Sequence, residues 1–114
     1  MILGDNIAQN MGPGWSSEDG QYYDFEGKGW VKLYEDNDYW MIDLIQVNPE
    51  HRRKGVGTRM LKDLLSLDSK PVHLQADPTD PSIPTHVLVA WYEKHGFVVT
   101  PGTDHWMIYT PKGY

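Results

Sequence analysis

The residues best suited to chemistry form a basic segment with two glycines near the middle of the chain, Glu50-His51-Arg52-Arg53-Lys54-Gly55-Val56-Gly57-Thr58. Glycine lets backbone amides approach a ligand closely, and the amides in the first turn of a helix are unpaired donors at the positive end of its dipole. Three consecutive cations, with Arg59 just beyond, add positive charge. This combination favours binding of an anion such as a phosphate group.

The elements on either side of this segment must position it. Tyr39–Val47 is mostly apolar and predicts a strand that ends before Asn48-Pro49, where proline breaks the ladder. After the segment, apolar residues recur at the spacing of one helix face, from Met60 to Leu65. Strand, loop and helix therefore predict a phosphate cradle. It is expected to use the backbone amides of Gly55, Val56, Gly57 and Thr58 and the side chains of Arg52, Arg53 or Lys54.

Strands are predicted where short apolar or tyrosine-rich runs lie between turn residues: 21–26, 30–34, 39–47, 72–76, 97–100 and 106–109. The first three favour an antiparallel meander, while the fourth should run parallel to the third because a helix crosses between them. A second helix is predicted over Thr85–His95 and ends at Gly96. Residues 1–20 show no sustained period and predict an irregular arm, followed by a single domain over residues 21–114.

Two motifs resemble those of a known enzyme family. Arg52-x-x-Gly55-x-Gly57 resembles the R/Q-x-x-G-x-G/A pyrophosphate loop of the GNAT acetyltransferases, and it follows a strand as that family requires. Downstream, Ala90-Trp91-Tyr92-Glu93-Lys94-His95-Gly96-Phe97 resembles the second signature, a tyrosine on the last helix before the Gly-Phe of the next strand. The resemblance covers roughly Gly29 to Tyr109 and is greatest for small phage-type members, including anti-CRISPR acetyltransferases.

The resemblance implies an α/β GNAT fold, with a mixed and mostly antiparallel sheet, helices packed on it, and a splay between Tyr39–Val47 and Val72–Ala76. Acetyl-coenzyme A is expected to lie in the splay as co-substrate. The implied reaction is acetyl transfer to a primary amine, with a protein lysine as the expected acceptor and an anti-CRISPR-like phage role. Two alternatives stay open: a small-molecule amine acetyltransferase, and a non-catalytic module that binds coenzyme A or a partner protein.

The resemblance also implies roles for single residues. Ile45 and Val47 would hydrogen-bond the pantetheine arm through their backbone, and a backbone N–H there would polarise the thioester. Tyr92 matches the general acid that protonates the leaving thiolate. The general base is left open between Asp43, which is expected to share side-chain parity with Ile45 and Val47, and His73 on the neighbouring strand, a residue type that titrates near neutrality. Deprotonation through water, without a single base, is a third option.

Composition restricts the partners. The net charge of −6 is uneven, because residues 1–50 hold ten carboxylates against two lysines, whereas residues 51–114 hold eight cations against six carboxylates. An acidic front half disfavours nucleic acid and fits a cationic amine. Without cysteine, and without paired histidine spacing, no metal site is predicted. No apolar stretch approaches membrane-spanning length, so we expect a cytoplasmic protein, in the host cytoplasm if of phage origin, and a homodimer is allowed.

Overall fold

The computed structural model describes residues 4–17, 21–67, 70–77 and 82–112, with side chains from Ile7 onwards. Three helices of this part of the chain are α1 (Gly4–Met11), α2 (Val56–Leu65) and α3 (Thr85–Lys94), and a short 3-10 turn covers Pro49–His51. The strands are β1 (Trp15–Ser17), β2 (Tyr22–Phe25), β3 (Gly29–Glu35), β4 (Trp40–Val47), β5 (Val72–Gln75), β6 (Val98–Val99) and β7 (Trp106–Tyr109). Within the described ranges, every helix is too short or too polar to cross a lipid bilayer.

The described strands form one sheet in the order β1-β2-β3-β4-β5-β7-β6. Only the pairing of β4 with β5 is parallel among them. This pairing joins Trp40–Ile42 to Val72–Leu74, and beyond it β4 continues to Val47 without a partner on that side. The predicted mixed, mostly antiparallel sheet with a splay between these strands is therefore confirmed.

The core lies on one face of the sheet. Helix α2 connects β4 to the parallel β5, and α3 connects β5 to β6, which runs in the same direction because both are antiparallel to β7. Crossovers of this kind are right-handed in nearly all proteins, which puts both helices on the same face. The main buried residues are Val31, Leu33, Ile42, Leu74 and Met107 from the strands, and Met60, Leu61, Leu64 and Tyr92 from the helices.

The opposite face of the sheet stays partly exposed. Between the buried residues of β2, β3 and β4, strand alternation turns Tyr22, Trp30, Lys32, Tyr34 and Met41 to this side, where all of them are half-buried or exposed. We call this surface, defined by those five residues, the open face. No helix of the described residues buries it.

The N-terminal segment differs from the predicted irregular arm. Residues 4–11 are helical, Trp15–Ser17 pairs with β2 at the sheet edge, and Ile7, Ala8 and Met11 are buried in the core. The indole Nε1 of Trp15 donates a 2.9 Å hydrogen bond to Asp63 of α2. For these residues the prediction was wrong, because a short helix of weak helix formers is stabilised by tertiary packing that local sequence does not reveal.

Strand β4 contains a bulge at Asp43. Ile45 pairs with Val31, but Ile42 pairs with Leu33, so Asp43 is an extra residue with no partner on β3. Val31 and Leu33 are both buried, which means that Ile42 and Ile45 face the core although they are three residues apart. The prediction that Asp43 shares side-chain parity with Ile45 and the strand end is therefore wrong, since two-residue alternation does not continue across a bulge.

Candidate active site

A cavity of about 600 Å³ opens where β4 and β5 separate. Its walls come from β4 between Ile42 and Val47, the end of β5, the loop before α2, and one side of α3. Among the predicted cofactor-binding residues, those in the wall are Ile45, Val47, Arg52, Arg53, Gly55, Gly57 and Thr58. The fold thus brings the strand end, the basic segment and the last helix around one space.

The N-terminus of α2 supplies amides that have no acceptor in the described part of the chain. Gly55, the N-cap residue, has a left-handed backbone with φ of 79°, which suits glycine. The first helical hydrogen bond runs from the Arg59 N–H to the Gly55 carbonyl at 3.0 Å. The N–H groups of Val56, Gly57 and Thr58 therefore lie before the first bonded turn, and no acceptor for them exists within the described residues. Unpaired amides at a positive helix end are suited to bind an anion.

The predicted cations have different surroundings. The Arg52 Nε donates a 3.2 Å hydrogen bond to the Val47 carbonyl, which ties the loop to the end of β4. Arg53 is exposed, lines the cavity and has a left-handed φ of 63°. Lys54 is exposed but does not line the cavity. Val56 also does not line the cavity, because its side chain packs against the core. Two of the three cations therefore make this end of the cavity positive.

Residues 16–99 match a family model described as an acetyltransferase (GNAT) domain. The chain belongs to the GNAT acetyltransferase family. The match spans more than two thirds of the chain and contains both motifs, the basic loop and the segment around Tyr92. It confirms the predicted enzyme class, an acetyl-coenzyme A-dependent N-acetyltransferase.

Solved structures share this GNAT fold. The anti-CRISPR protein AcrVA5 is 26% identical with a TM-score of 0.61, over 74% of this chain and 92% of that one. A putative GNAT acetyltransferase from Bacteroides thetaiotaomicron is 19% identical with a TM-score of 0.61, over 80% of this chain and 62% of that one. The PaiA N-acetyltransferase from Thermoplasma acidophilum, solved with coenzyme A, is 20% identical with a TM-score of 0.55, over 78% of this chain and 58% of that one. A comparison with curated protein sequences finds no match.

In this GNAT chain the edge of β4 that faces the splay is available to a ligand. Pairing with β5 stops at Ile42, so the segment from Leu44 to Val47 pairs with β3 on one side only. An unpaired strand edge offers backbone donors and acceptors to an extended ligand. Ile45 and Val47 lie in this segment, and Val47 also lies beside the first turn of α2, where a Cβ at Gly57 would be 3.5 Å from its Cγ2.

Tyr92 of the acetyltransferase is buried but contributes to the cavity wall. Its ring packs against Phe97, with 5.5 Å between the ring centroids. Burial raises the pKa of the Tyr92 phenol, so the hydroxyl stays protonated at neutral pH. The Tyr92 hydroxyl has no hydrogen-bond partner among the described residues. In the same part of the chain, every fully buried side-chain oxygen has a hydrogen-bond partner. The hydroxyl therefore keeps some accessible surface, and Tyr92 is a lining residue of the cavity.

Of the two predicted base candidates, only Asp43 reaches the cavity. Asp43 is exposed and lines the cavity, and its Oδ2 lies 3.6 Å from the Nζ of Lys32 on the open face. His73 is half-buried and stacks on Tyr39 with 4.4 Å between the ring centroids. It does not line the cavity. The sequence placed both residues on neighbouring strands but could not show that the bulge would turn only one of them towards the splay.

Several residues of the cavity wall were not among the predicted site residues, and three of these are Gln75, Asp77 and Trp91. Gln75 follows the buried Leu74, so strand alternation could have found it, and its Nε2 donates a 2.9 Å hydrogen bond to the carbonyl of Asp104. Trp91 is half-buried, packs against the core and lies beside Gly57. As for metals, no group of three or more His, Cys, Asp or Glu side chains in the described ranges could hold an ion.

Proposed function

We propose that this acetyltransferase transfers the acetyl group of acetyl-coenzyme A to the side-chain amine of a protein lysine. The observation that carries this proposal is the position of the cavity mouth. Asp43 and Gln75 line the cavity and project on the same side of the sheet as the open face. That surface carries partly exposed aromatic residues, such as Tyr22 at 38%, which are common in protein interfaces. An acceptor protein can rest on this surface while one lysine enters the cavity.

The other end of the cavity suits the co-substrate. The α2 amides, together with Arg53, would hold the pyrophosphate, and the free edge of β4 would pair with the extended pantetheine arm. Acetyl-coenzyme A supplies an activated thioester. A backbone N–H in the segment from Ile45 to Val47 would polarise its carbonyl, which is stabilisation of the oxyanion type.

We assign the two proton transfers to Asp43 and Tyr92. The Asp43 carboxylate would attract the acceptor ammonium and receive its proton, directly or through water. The amine nitrogen then forms a bond to the acetyl carbon as the carbon–sulfur bond breaks. The Tyr92 hydroxyl would donate a proton to the leaving thiolate, which yields free coenzyme A. The second proton of the amine nitrogen, lost as the amide forms, would restore the Tyr92 hydroxyl through water, and Asp43 would release its proton to solvent.

The proposal is tested by mass spectrometry with isotopically labelled acetyl-coenzyme A and a panel of lysine peptides, folded proteins and small amines. We expect kcat/KM to be highest for lysine in a peptide or protein. Higher values for a small amine would instead support the small-molecule alternative. Binding of acetyl-coenzyme A by calorimetry, without transfer to any amine, would support the non-catalytic module.

A second candidate is an anti-CRISPR-like role, which the 26% identity to AcrVA5 over 92% of that protein favours. In this role the acceptor lysine would belong to a protein of the host CRISPR system. The test is phage plating on a CRISPR-immune host that expresses the chain, with Tyr92→Phe as the control of low activity. If the host expressing the wild-type chain resists the phage as well as a host without the chain, this role is excluded. The homodimer and the cytoplasmic location stay predictions.

A further inference from the structure

Lys32 holds its ammonium in a site that combines one carboxylate and two aromatic rings. Its Nζ lies 3.6 Å from Asp43 Oδ2, 5.5 Å from the centroid of the Tyr22 ring and 5.3 Å from that of Tyr34. Aromatic faces and a carboxylate are the groups that bind alkylammonium ions. The hydrogen bond with the Tyr34 side chain raises the pKa of Lys32, desolvation opposes this shift, and the charge of Asp43 adds to it. Lys32 is therefore a stable cation.

This site lies at the cavity mouth on the side where the acceptor is expected. Asp43 is part of the cavity wall, and Lys32 pairs with Leu44, the next residue of β4. A second carboxylate in the wall, Asp77, has no ion pair or hydrogen bond with the described residues, whereas Asp43 is already engaged by Lys32. An acceptor lysine carries the same ammonium group as Lys32, so the two cannot occupy the site at the same time.

We propose that Lys32 is an intramolecular competitor of the acceptor, and that its ammonium must leave the site formed by Tyr22, Tyr34 and Asp43 before the acceptor amine binds there. The inference rests on the proposed function, amine acetylation. Both partners of the ion pair retain solvent exposure, 26% for the Lys32 side chain and 53% for that of Asp43. Exposed ion pairs of this kind are weak, so displacement is readily reversible.

Competition of this kind changes apparent affinity in a calculable way. The acceptor binds only the fraction of molecules in which Lys32 has left, and its apparent dissociation constant rises by the inverse of that fraction. For an exposed pair the expected factor is about two- to fivefold. A free small amine has nothing else to offset this factor, whereas a protein acceptor also contacts the open face. The factor itself is the same for both classes of acceptor.

The test compares KM for a lysine peptide among three variants at saturating acetyl-coenzyme A. We expect Lys32→Gln to lower KM about two- to fivefold. The separate variant Lys32→Arg keeps the charge, and we expect its KM to be close to the wild-type value. Lys28→Gln makes the same change in net charge at a residue whose Nζ pairs with Glu26 at 3.0 Å outside the cavity wall, so it controls for long-range charge. Thermal unfolding checks that each variant is folded.

The possible outcomes separate the inference from the proposed function. A KM for Lys32→Gln that equals or exceeds the KM of Lys28→Gln, in an enzyme that acetylates the peptide, overturns the inference alone. Failure of the wild-type chain to acetylate any amine overturns the proposed function, and the inference with it. A lowered KM in Lys32→Gln, but not in Lys32→Arg, supports the competitor role, because a residue that only packs in the sheet would not affect KM through its charge.

Discussion

Trp91 of α3 lies directly beside Gly57 of α2, although the two residues belong to motifs far apart in the chain. A Cβ at Gly57 would stand 3.7 Å from the indole Cζ2 of Trp91 and 3.5 Å from Val47 Cγ2. These are ordinary van der Waals distances, so packing inside the protein does not require glycine at this position. The absence of a side chain at Gly57 instead leaves space in the wall of the cavity.

We predict that Gly57→Asp abolishes binding of acetyl-coenzyme A while the protein stays folded. The Cβ fits, and an acid in the first turn of a helix is electrostatically favourable for the helix itself. Its carboxylate, however, would compete with the phosphates for the unpaired amides and repel their charge. Calorimetric titration measures the affinity, with Gly57→Ala as the steric control. Affinity near the wild-type value in Gly57→Asp would contradict the predicted cradle.

Gly29→Ala should destabilise the fold, unlike Gly57→Ala. A Cβ at Gly29 would lie 2.7 Å from the Gln46 carbonyl oxygen and 2.7 Å from Met60 Sδ, and the backbone oxygen cannot move away without disturbing β4. We expect a loss of roughly 1–3 kcal/mol in the free energy of unfolding, measured by urea denaturation. For Gly57→Ala in the helix we expect no loss, or a gain of up to about 1 kcal/mol. Equal stability of the two variants would rule out the close approach at Gly29.

Tyr92→Phe should lower kcat by roughly 100- to 10,000-fold and leave the affinity for acetyl-coenzyme A unchanged. The reason is that the phenol acts after binding, when the thiolate leaves. Burial raises the pKa of Tyr92, so its protonated, donating form persists above the usual titration range of tyrosine. In the wild-type enzyme, deprotonation of Tyr92 should therefore cause no decrease in kcat up to about pH 10. Unchanged release of thiol in a steady-state assay would mean that Tyr92 only packs in the core.

Asp43→Asn should reduce kcat/KM far more than His73→Gln, by roughly 100-fold or more if Asp43 receives the proton. Asp43 lines the cavity, whereas His73 is stacked on Tyr39. The pH dependence of kcat/KM separates the two residues, because a limb that depends on His73 would be absent from His73→Gln. If such a limb is present and disappears in His73→Gln, the assignment is reversed. Similar, mild losses in both variants would indicate a water relay.

Trp15→Phe should lower the free energy of unfolding by roughly 1–3 kcal/mol, because Asp63 loses a partly buried hydrogen bond and the core loses indole contacts. Trp30→Phe on the open face is the matched control, since Trp30 is only half-buried. Urea denaturation of both variants gives the comparison. Equal losses would mean that the contact of β1 with α2 does not contribute to stability.

The sequence by itself was sufficient to predict the strand, loop and helix around the basic segment and the order of the central elements. Both depend on local physics: proline ends a strand, glycine permits the left-handed N-cap seen at Gly55, and apolar spacing defines the buried face of α2. The motif around Tyr92 is local in the same sense, since helix periodicity and the following Gly96 set its position. Features that depend on a few consecutive residues were therefore predictable.

Tertiary structure alone decided three other features. Residues 4–17 pack on the core because Ile7, Met11 and Trp15 find partners distant in sequence. The bulge at Asp43 arises from pairing with β3, and it turns that carboxylate to the cavity mouth. The Lys32 ammonium meets Asp43 across two strands. Each of these features depends on residues that are distant in sequence and come together only in the folded chain. The periodicity of one strand carries no information about its register with the neighbouring strand.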